Sequence, residues 1–359
     1  MTDATLQQAR DDIDQLDQQI LTLLNQRATI AQQVGQIKHQ ADPNAVLYRP
    51  EREAQVLRRL QTNNAGPLGK TAVKTIFREV MSACLALEQP QTVAFLGPIG
   101  TYTEQAVRKQ FGQAVQTQPY TEIADIFQAV ETGAVEYGMV PIENSAEGMV
   151  GHTLDCLMQT SVLICGEQTL RIQHQLLGQV SSLEHVKTVY AHPQALAQCR
   201  HWLGQHLPQA TYMPVSSNGE AARIAAETSG AVAIASCQAA EHYQLATLAA
   251  HIEDEADNST RFIVLGRSKL EPSGRDKTSL LLSAQNQPGG LYQLLAPLAE
   301  HQIDMSRIES RPSRRGKWDY VFFIDLLGHQ SDADVQQALA ALDQQGCPPQ
   351  ILGSYPRAV

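Results

Sequence analysis

From Leu6 to about Gln40 the apolar residues recur at intervals of three and four (Ile13, Leu16, Ile20, Leu23, Leu24, Ile30, Ala31, Val34, Ile37), with no proline and only Gly35 as a weak point. That period predicts one helix of about 35 residues, about 50 Å long. A stripe of that length cannot be buried by the helix that carries it, so it needs partner helices, from this chain or from a second one. The segment "ADPNAV" ends the helix. A second helix opens at "YRPERE", where Pro50 suits the first helical position and Glu51 and Glu53 suit the positive end of the helix dipole. After "NNAGPLGK" a third runs from about Lys70 to Leu87.

Beyond "EQPQ" the period changes. Short β-rich runs are each followed by a small-residue turn and a helix-like stretch, as in "TVAFLGPIGTYTEQAVRKQF", "TVYAHPQALAQCRHWL" and "TYMPVSSNGEAARIAAE". This alternation predicts α/β architecture with largely parallel strands, whose ligands collect where strands end and helix N-termini offer free N–H groups. Past the polar link "KLEPSGRDK", six runs from "TSLLLSAQ" to "PQILGSYP" read strand, helix, strand, strand, helix, strand. Three domains are expected, at residues 1–91, 92–268 and 277–359: all-α helical, α/β, and α+β.

The length of 359 residues agrees with more than one core. No segment approaches a membrane span and the polar, acidic start is unlike a signal peptide, so a cytoplasmic protein is expected. Six scattered cysteines form no metal-spaced cluster, and "GPIG" lacks the spacing of a dinucleotide or Walker loop, so neither metal nor cofactor is expected. The net charge of −10 argues against nucleic acid and anionic membranes as partners. Residues 91–268 hold 8 Lys and Arg against 17 Asp and Glu, which makes each cation there conspicuous. Arg261 is one of them, in "EDEADNSTRFIVLG", where an acidic loop ends in a hydroxyl and a guanidinium at the mouth of an apolar strand.

On the first helix, Arg27 and Lys38 lie about 20° apart around the axis and about 16 Å apart along it, so both can close on one small anion. Arg10 is about 25 Å from Arg27 and reaches the same site only from an antiparallel partner chain. "LQQARDDIDQLDQQILTLLNQRATIAQQVGQIK", "YRPERE" and "IFREVMSACLALEQ" resemble the all-helical chorismate mutase domain. The resemblance implies that Arg10, Arg27 and Lys38 bind the two carboxylates of chorismate, and it gives further roles to Arg52 and Glu53 and substrate contacts to Arg49 and Cys84. Where some members have a glutamine that donates to the breaking ether oxygen, this chain has Glu88; only its protonated acid can donate.

"GPIGTYTEQA", "VPIENSAEG" and "NSTRF" resemble prephenate dehydratase, whose fold is similar to that of two-lobed periplasmic binding proteins. The resemblance implies that Thr260 is essential, acting in a hydrogen-bond relay, with Glu143 a candidate acid. Arg261 is expected to clamp a carboxylate of prephenate, with Thr101, Asn144, Ser145, Ser217, Asn218 and Phe262 lining the substrate. His192 reads as a helix-start residue or a competing acid. The third segment has the ferredoxin-like order, and its "NQPGGLYQLL" and "RIESRPS" resemble the ligand loops of ACT regulatory domains. That implies a phenylalanine site at Asn286, Gly289, Gly290, Leu291, Glu309, Ser310 and Arg311. A homodimer or homotetramer is expected, and two rivals stand beside this reading: an arogenate dehydratase, and an amino-acid sensor with degenerate catalytic sites.

Overall fold

The computed structural model describes residues 3–42, 48–284, 287–313 and 320–358. The chain forms two compact units, one of Met1–Arg49, Val56–Gln91 and Phe111–Gln116, the other of Pro50–Gln55, Thr92–Gln110 and Thr117–Val359.

The first unit is helical. Helix α1 (Asp3–Ala41) is unbroken, α2 (Pro50–Asn63) starts on a proline with its first residues grouped with the second unit and belongs to the first from Val56 onward, and α3 (Lys70–Glu88) packs on α1. Glu88 lies across Gly35, where a Cβ would come within 3.1 Å of its Oε2. The apolar stripe of α1 remains uncovered within the chain: Leu23 is 63% exposed, Ile30 60% and Ile37 65%.

In the second unit, β1 (Thr92–Leu96), α4 (Tyr102–Phe111), β2 (Gln116–Tyr120), α5 (Ile123–Glu131), β3 (Tyr137–Asn144), the two-residue β4 (Gly148–Met149), α6 (Gly151–Leu157) and β5 (Leu163–Arg171) build a first lobe. A second lobe holds β6 (Gln175–Gly178), β7 (Thr188–Ala191), α7 (Pro193–Gln198), α8 (Arg200–His206), β8 (Thr211–Pro214), α9 (Asn218–Glu227), β9 (Ala231–Ala235), α10 (Cys237–Tyr243) and β10 (Ala246–Ala250). The chain then returns as β11 (Ser259–Gly266) and inserts between β3 and β5, giving the order β2-β1-β3-β11-β5; the second sheet is β10-β6-β9-β7-β8. The strands are less parallel than the alternation predicts. β1 and β3 are parallel, as are β7, β8 and β9, but β11 runs antiparallel to both neighbours and β6 and β10 are antiparallel in theirs. The lobe crossings at residues 172–174 (β5 to β6) and 251–258 (β10 to β11) contain no helix, and the strands at their ends pair antiparallel within their own sheets, β5 with β11 and β6 with β10.

The C-terminal part follows the βαββαβ order, with β12 (Asp276–Ala284), α11 (Gly290–Glu300), β13 (Met305–Pro312), β14 (Tyr320–Leu327), α12 (Ala333–Gln344) and β15 (Gln350–Pro356) in an antiparallel sheet β13-β14-β12-β15. Alternation sorts its faces. Leu280, Leu282, Ile324 and Leu326 pack with Leu294, Leu298, Ala338 and Leu342 of the helices, while Leu281, Val321, Phe323, Leu352 and Tyr355 join the core of the first lobe. The sheet is therefore covered on both faces over its central strands and packs its back against the first lobe, behind β11 and β5.

Candidate functional site

β3 and β11 carry the chemistry, and their register decides which side each residue serves. Thr260 pairs with Asn144 and Arg261 with Glu143. Side chains alternate along a strand, so Thr260, Asn144 and Phe262 line a cleft of about 400 Å³ between the lobes, whereas Arg261 and Glu143 point the other way.

In the cleft the hydrogen bonds have only one consistent direction. Backbone N–H groups of Ala146 and Glu147 donate to Asn144 Oδ1 at 3.0 and 3.1 Å, so its amide nitrogen faces β11. Nδ2 donates to Thr260 Oγ1 and to Asn258 Oδ1, both at 2.9 Å. The Thr260 oxygen is thus an acceptor from Asn144, and its own proton remains to be donated. The opposite wall is a set of helix starts. Ser217 Oγ accepts from Glu220 N at 3.1 Å and caps α9, Asn218 Oδ1 accepts from His192 N at 2.9 Å, and His192 Nδ1 accepts from Gln194 N at 3.3 Å and caps α7. Only glycine fits at 219, because a Cβ would sit 2.6 Å from the carbonyl oxygen of Ile99 where α9 approaches the Gly97–Thr101 turn. Thr101 Oγ1 donates to Leu96 O at 3.0 Å within that turn. Among the described residues that line the cleft there is no Lys, Arg, Asp or Glu.

Behind the strands lies a charge quartet. Arg261 donates from Nε to Glu167 at 2.8 Å, from Nη1 to Asp325 at 2.7 Å and from Nη2 to the Tyr355 hydroxyl at 3.0 Å. Glu143 accepts from Arg307, and Arg307 is the cross-strand partner of Asp325, so a plus–minus pair on one sheet meets its complement on the other. Lys277 adds a second cation to Glu167 at 2.7 Å.

In the helical unit, Arg27, Lys38 and Glu88 converge. Burial raises the Glu88 carboxyl above the ordinary carboxylate range, and Lys38 and Arg27 oppose the shift. Arg27 Nη1 is buried without a hydrogen-bond partner among the described residues. Arg10 and Arg49 are exposed and Cys84 is buried.

Family models match residues 9–89 as "Chorismate mutase type II", 93–270 as "Prephenate dehydratase" and 278–344 as "ACT domain". A bifunctional chorismate mutase/prephenate dehydratase of Pseudomonas aeruginosa is 47% identical over 97% of this chain and 96% of its own length. The Neisseria gonorrhoeae counterpart is 50% identical over 98% and 96%. The chain belongs to the bifunctional chorismate mutase/prephenate dehydratase family. A prephenate dehydratase structure from Arthrobacter aurescens, in complex with L-Phe, superposes with a TM-score of 0.69 at 37% identity, covering 74% of this chain and 90% of that one.

Within this dehydratase, three expected site residues lie elsewhere. Arg261 is no clamp and Glu143 no acid in the cleft, because one step along a strand reverses the face, and both are spent on the ACT sheet. Ser145 is exposed and holds the backbone of residues 257 and 259. Two of the acids ahead of Thr260 hold backbone: Glu253 accepts from His174 N at 2.8 Å, and Asp254 accepts from His201 and Trp202 N–H at the start of α8. Pattern reading missed Tyr102, His174, Gln198 and Asn258. Asn258, only two residues before Thr260, reads as a glycosylation sequon, yet it is 4% exposed and inaccessible to modification.

In the mutase part, Arg52 is exposed and Glu53 half-buried in the first turn of α2, in the portion that belongs to the second unit. In the ACT part, Asn286 lies outside the described residues. Gly289 caps α11 at φ +80°, Gly290 is buried and Leu291 exposed. Pro312 and Ala284 both pair with Tyr320, so the α11 start and Glu309–Arg311 share one end of the sheet. Ser310 is exposed, Glu309 half-buried, and Arg311 donates to Asp155 of α6 at 2.8 Å. Among the described residues no helix is long and apolar enough to cross a membrane, and no cluster of three His, Cys, Asp or Glu is placed to hold a metal.

Proposed function

We propose that this chain rearranges chorismate to prephenate in its helical unit and converts prephenate to phenylpyruvate in the cleft, with phenylalanine acting through the ACT part. The observation that carries the dehydratase assignment is the Thr260 hydroxyl, whose oxygen accepts from Asn144 so that its proton points onward. Decarboxylative elimination needs little more. The bond from the ring to its carboxylate breaks and carbon dioxide leaves, the electron pair moves into the ring, and the C–O bond breaks with its pair leaving as hydroxide, which takes a proton from solvent to become water. Thr260 donates a hydrogen bond to the departing oxygen where its charge develops. The mutase step needs no nucleophile; Arg27 and Lys38 hold carboxylates of the reactive conformer, and protonated Glu88 donates to the breaking ether oxygen.

Mutase activity should therefore fall as pH rises through the elevated Glu88 pKa, since only the protonated carboxyl donates. Initial rates of chorismate loss between about pH 5 and 8 test this against Glu88→Gln, which keeps a donor at every pH. A flat wild-type profile, or an equal alkaline loss in the variant, would sink the role of Glu88.

The uncovered stripe of α1 supports pairing with a second copy, because burying each of these side chains contributes about 1.5–3 kcal/mol. An antiparallel partner also delivers Arg10. A second self-association surface is the unpaired edge of β13, where Ile308 is 38% exposed. The enzyme should run as a dimer or larger by light scattering.

A coupled assay tests the whole assignment: chorismate should disappear and phenylpyruvate form without added metal or nucleotide, and phenylalanine should slow the second step. Prephenate accumulating without phenylpyruvate removes the dehydratase half. An inactive chain that binds phenylalanine restores the sensor alternative.

A further inference from the structure

We propose that the amide nitrogen Nδ2 of Asn258 is a donor that receives a carboxylate of the substrate in the cleft, with Asn144 as the positioning residue that aims it. The inference rests on the assignment of this cleft to prephenate. A dianion must be held here without a lysine or arginine among the described lining residues. What the cleft offers instead is an unspent donor. Asn258 lines the cleft, and its Nδ2 is buried without a hydrogen-bond partner among the described residues. A buried amide donor without an acceptor is destabilising and is rare in folded proteins unless a ligand supplies the acceptor.

Asn258 is locked by its oxygen. The two backbone N–H groups on Asn144 Oδ1 force Asn144 Nδ2 toward Asn258, so Asn258 must present Oδ1 there and turn its nitrogen into the cleft.

Steady-state kinetics with prephenate test the assignment. Asn258→Asp keeps the shape and the acceptor for Asn144 but replaces the donor by a negative charge. KM should rise roughly 30- to 100-fold while kcat stays within about threefold. Asn258→Ala, which removes the donor without adding a charge, should raise KM about tenfold, and it covers the case in which the aspartate variant does not fold, judged by its thermal melt. An unchanged KM in Asn258→Asp, or a loss confined to kcat in either variant, overturns the donor assignment, because the residue then acts only through Thr260. Failure of the wild-type enzyme to consume prephenate would instead remove the functional assignment on which it rests.

Discussion

Thr260→Ala is expected to lower the conversion of prephenate by roughly 10²- to 10³-fold, the loss typical of one preorganised donor to a developing oxyanion. The mutase rate should be unchanged, since Thr260 belongs to the second unit and chorismate chemistry to the first. The size follows from the lone position of this hydroxyl. No described carboxylate or ammonium in the cleft can take over, because Glu143 is turned to the ACT sheet. Thr260→Ser retains the hydroxyl on β11 and should recover to within about tenfold of wild type. Phenylpyruvate formation from prephenate reads both variants. An alanine variant that keeps a tenth of the activity would mean that the departing hydroxide is assisted from elsewhere.

Arg261→Ala should act on stability and leave substrate affinity nearly untouched. The side chain is 11% exposed and its partners Glu167 and Asp325 are 6% and 9% exposed, so its removal strands buried carboxylates. Breaking a buried pair from one side costs about 3–5 kcal/mol. Lys277 still holds Glu167, which places the loss toward the lower end and leaves Asp325 as the charge most in need of a partner. The denaturation midpoint should fall, with KM for prephenate changed less than about threefold. A tenfold rise in KM at an unaltered midpoint would return Arg261 to the substrate side.

The contrast between these two neighbours shows how far residue patterns reach. The helical period of residues 6–40 and the βαββαβ order after residue 277 are local signals, written in spacings of two and 3.6, and both elements form as the pattern predicts. Residue identity likewise marks Thr260, Asn144 and Asn218 as cleft material. Spacing alone does not say which face of β11 meets a ligand and which meets a neighbouring sheet. That needs the knowledge that the ACT sheet packs behind β5 and β11, a contact between segments nearly a hundred residues apart. The same limit hides Gln198 and His174. A glutamine ending a short helix and a histidine between two strands look unremarkable until the lobe crossing at residues 172–174 puts them 2.9 Å apart.

β11 joins the first sheet only after the entire second lobe has been threaded, and it is the strand that ties β5 to β3. During synthesis, then, the first lobe exists as two unconnected β segments until residue 266 is available. Thr260 arrives with the closing strand, so every species in which the sheet is still open has no leaving-group donor. The order of the chain makes dehydration a late event in the maturation of the molecule. A ribosome-bound nascent chain halted before β11 emerges could already possess its complete long helix yet be silent toward prephenate.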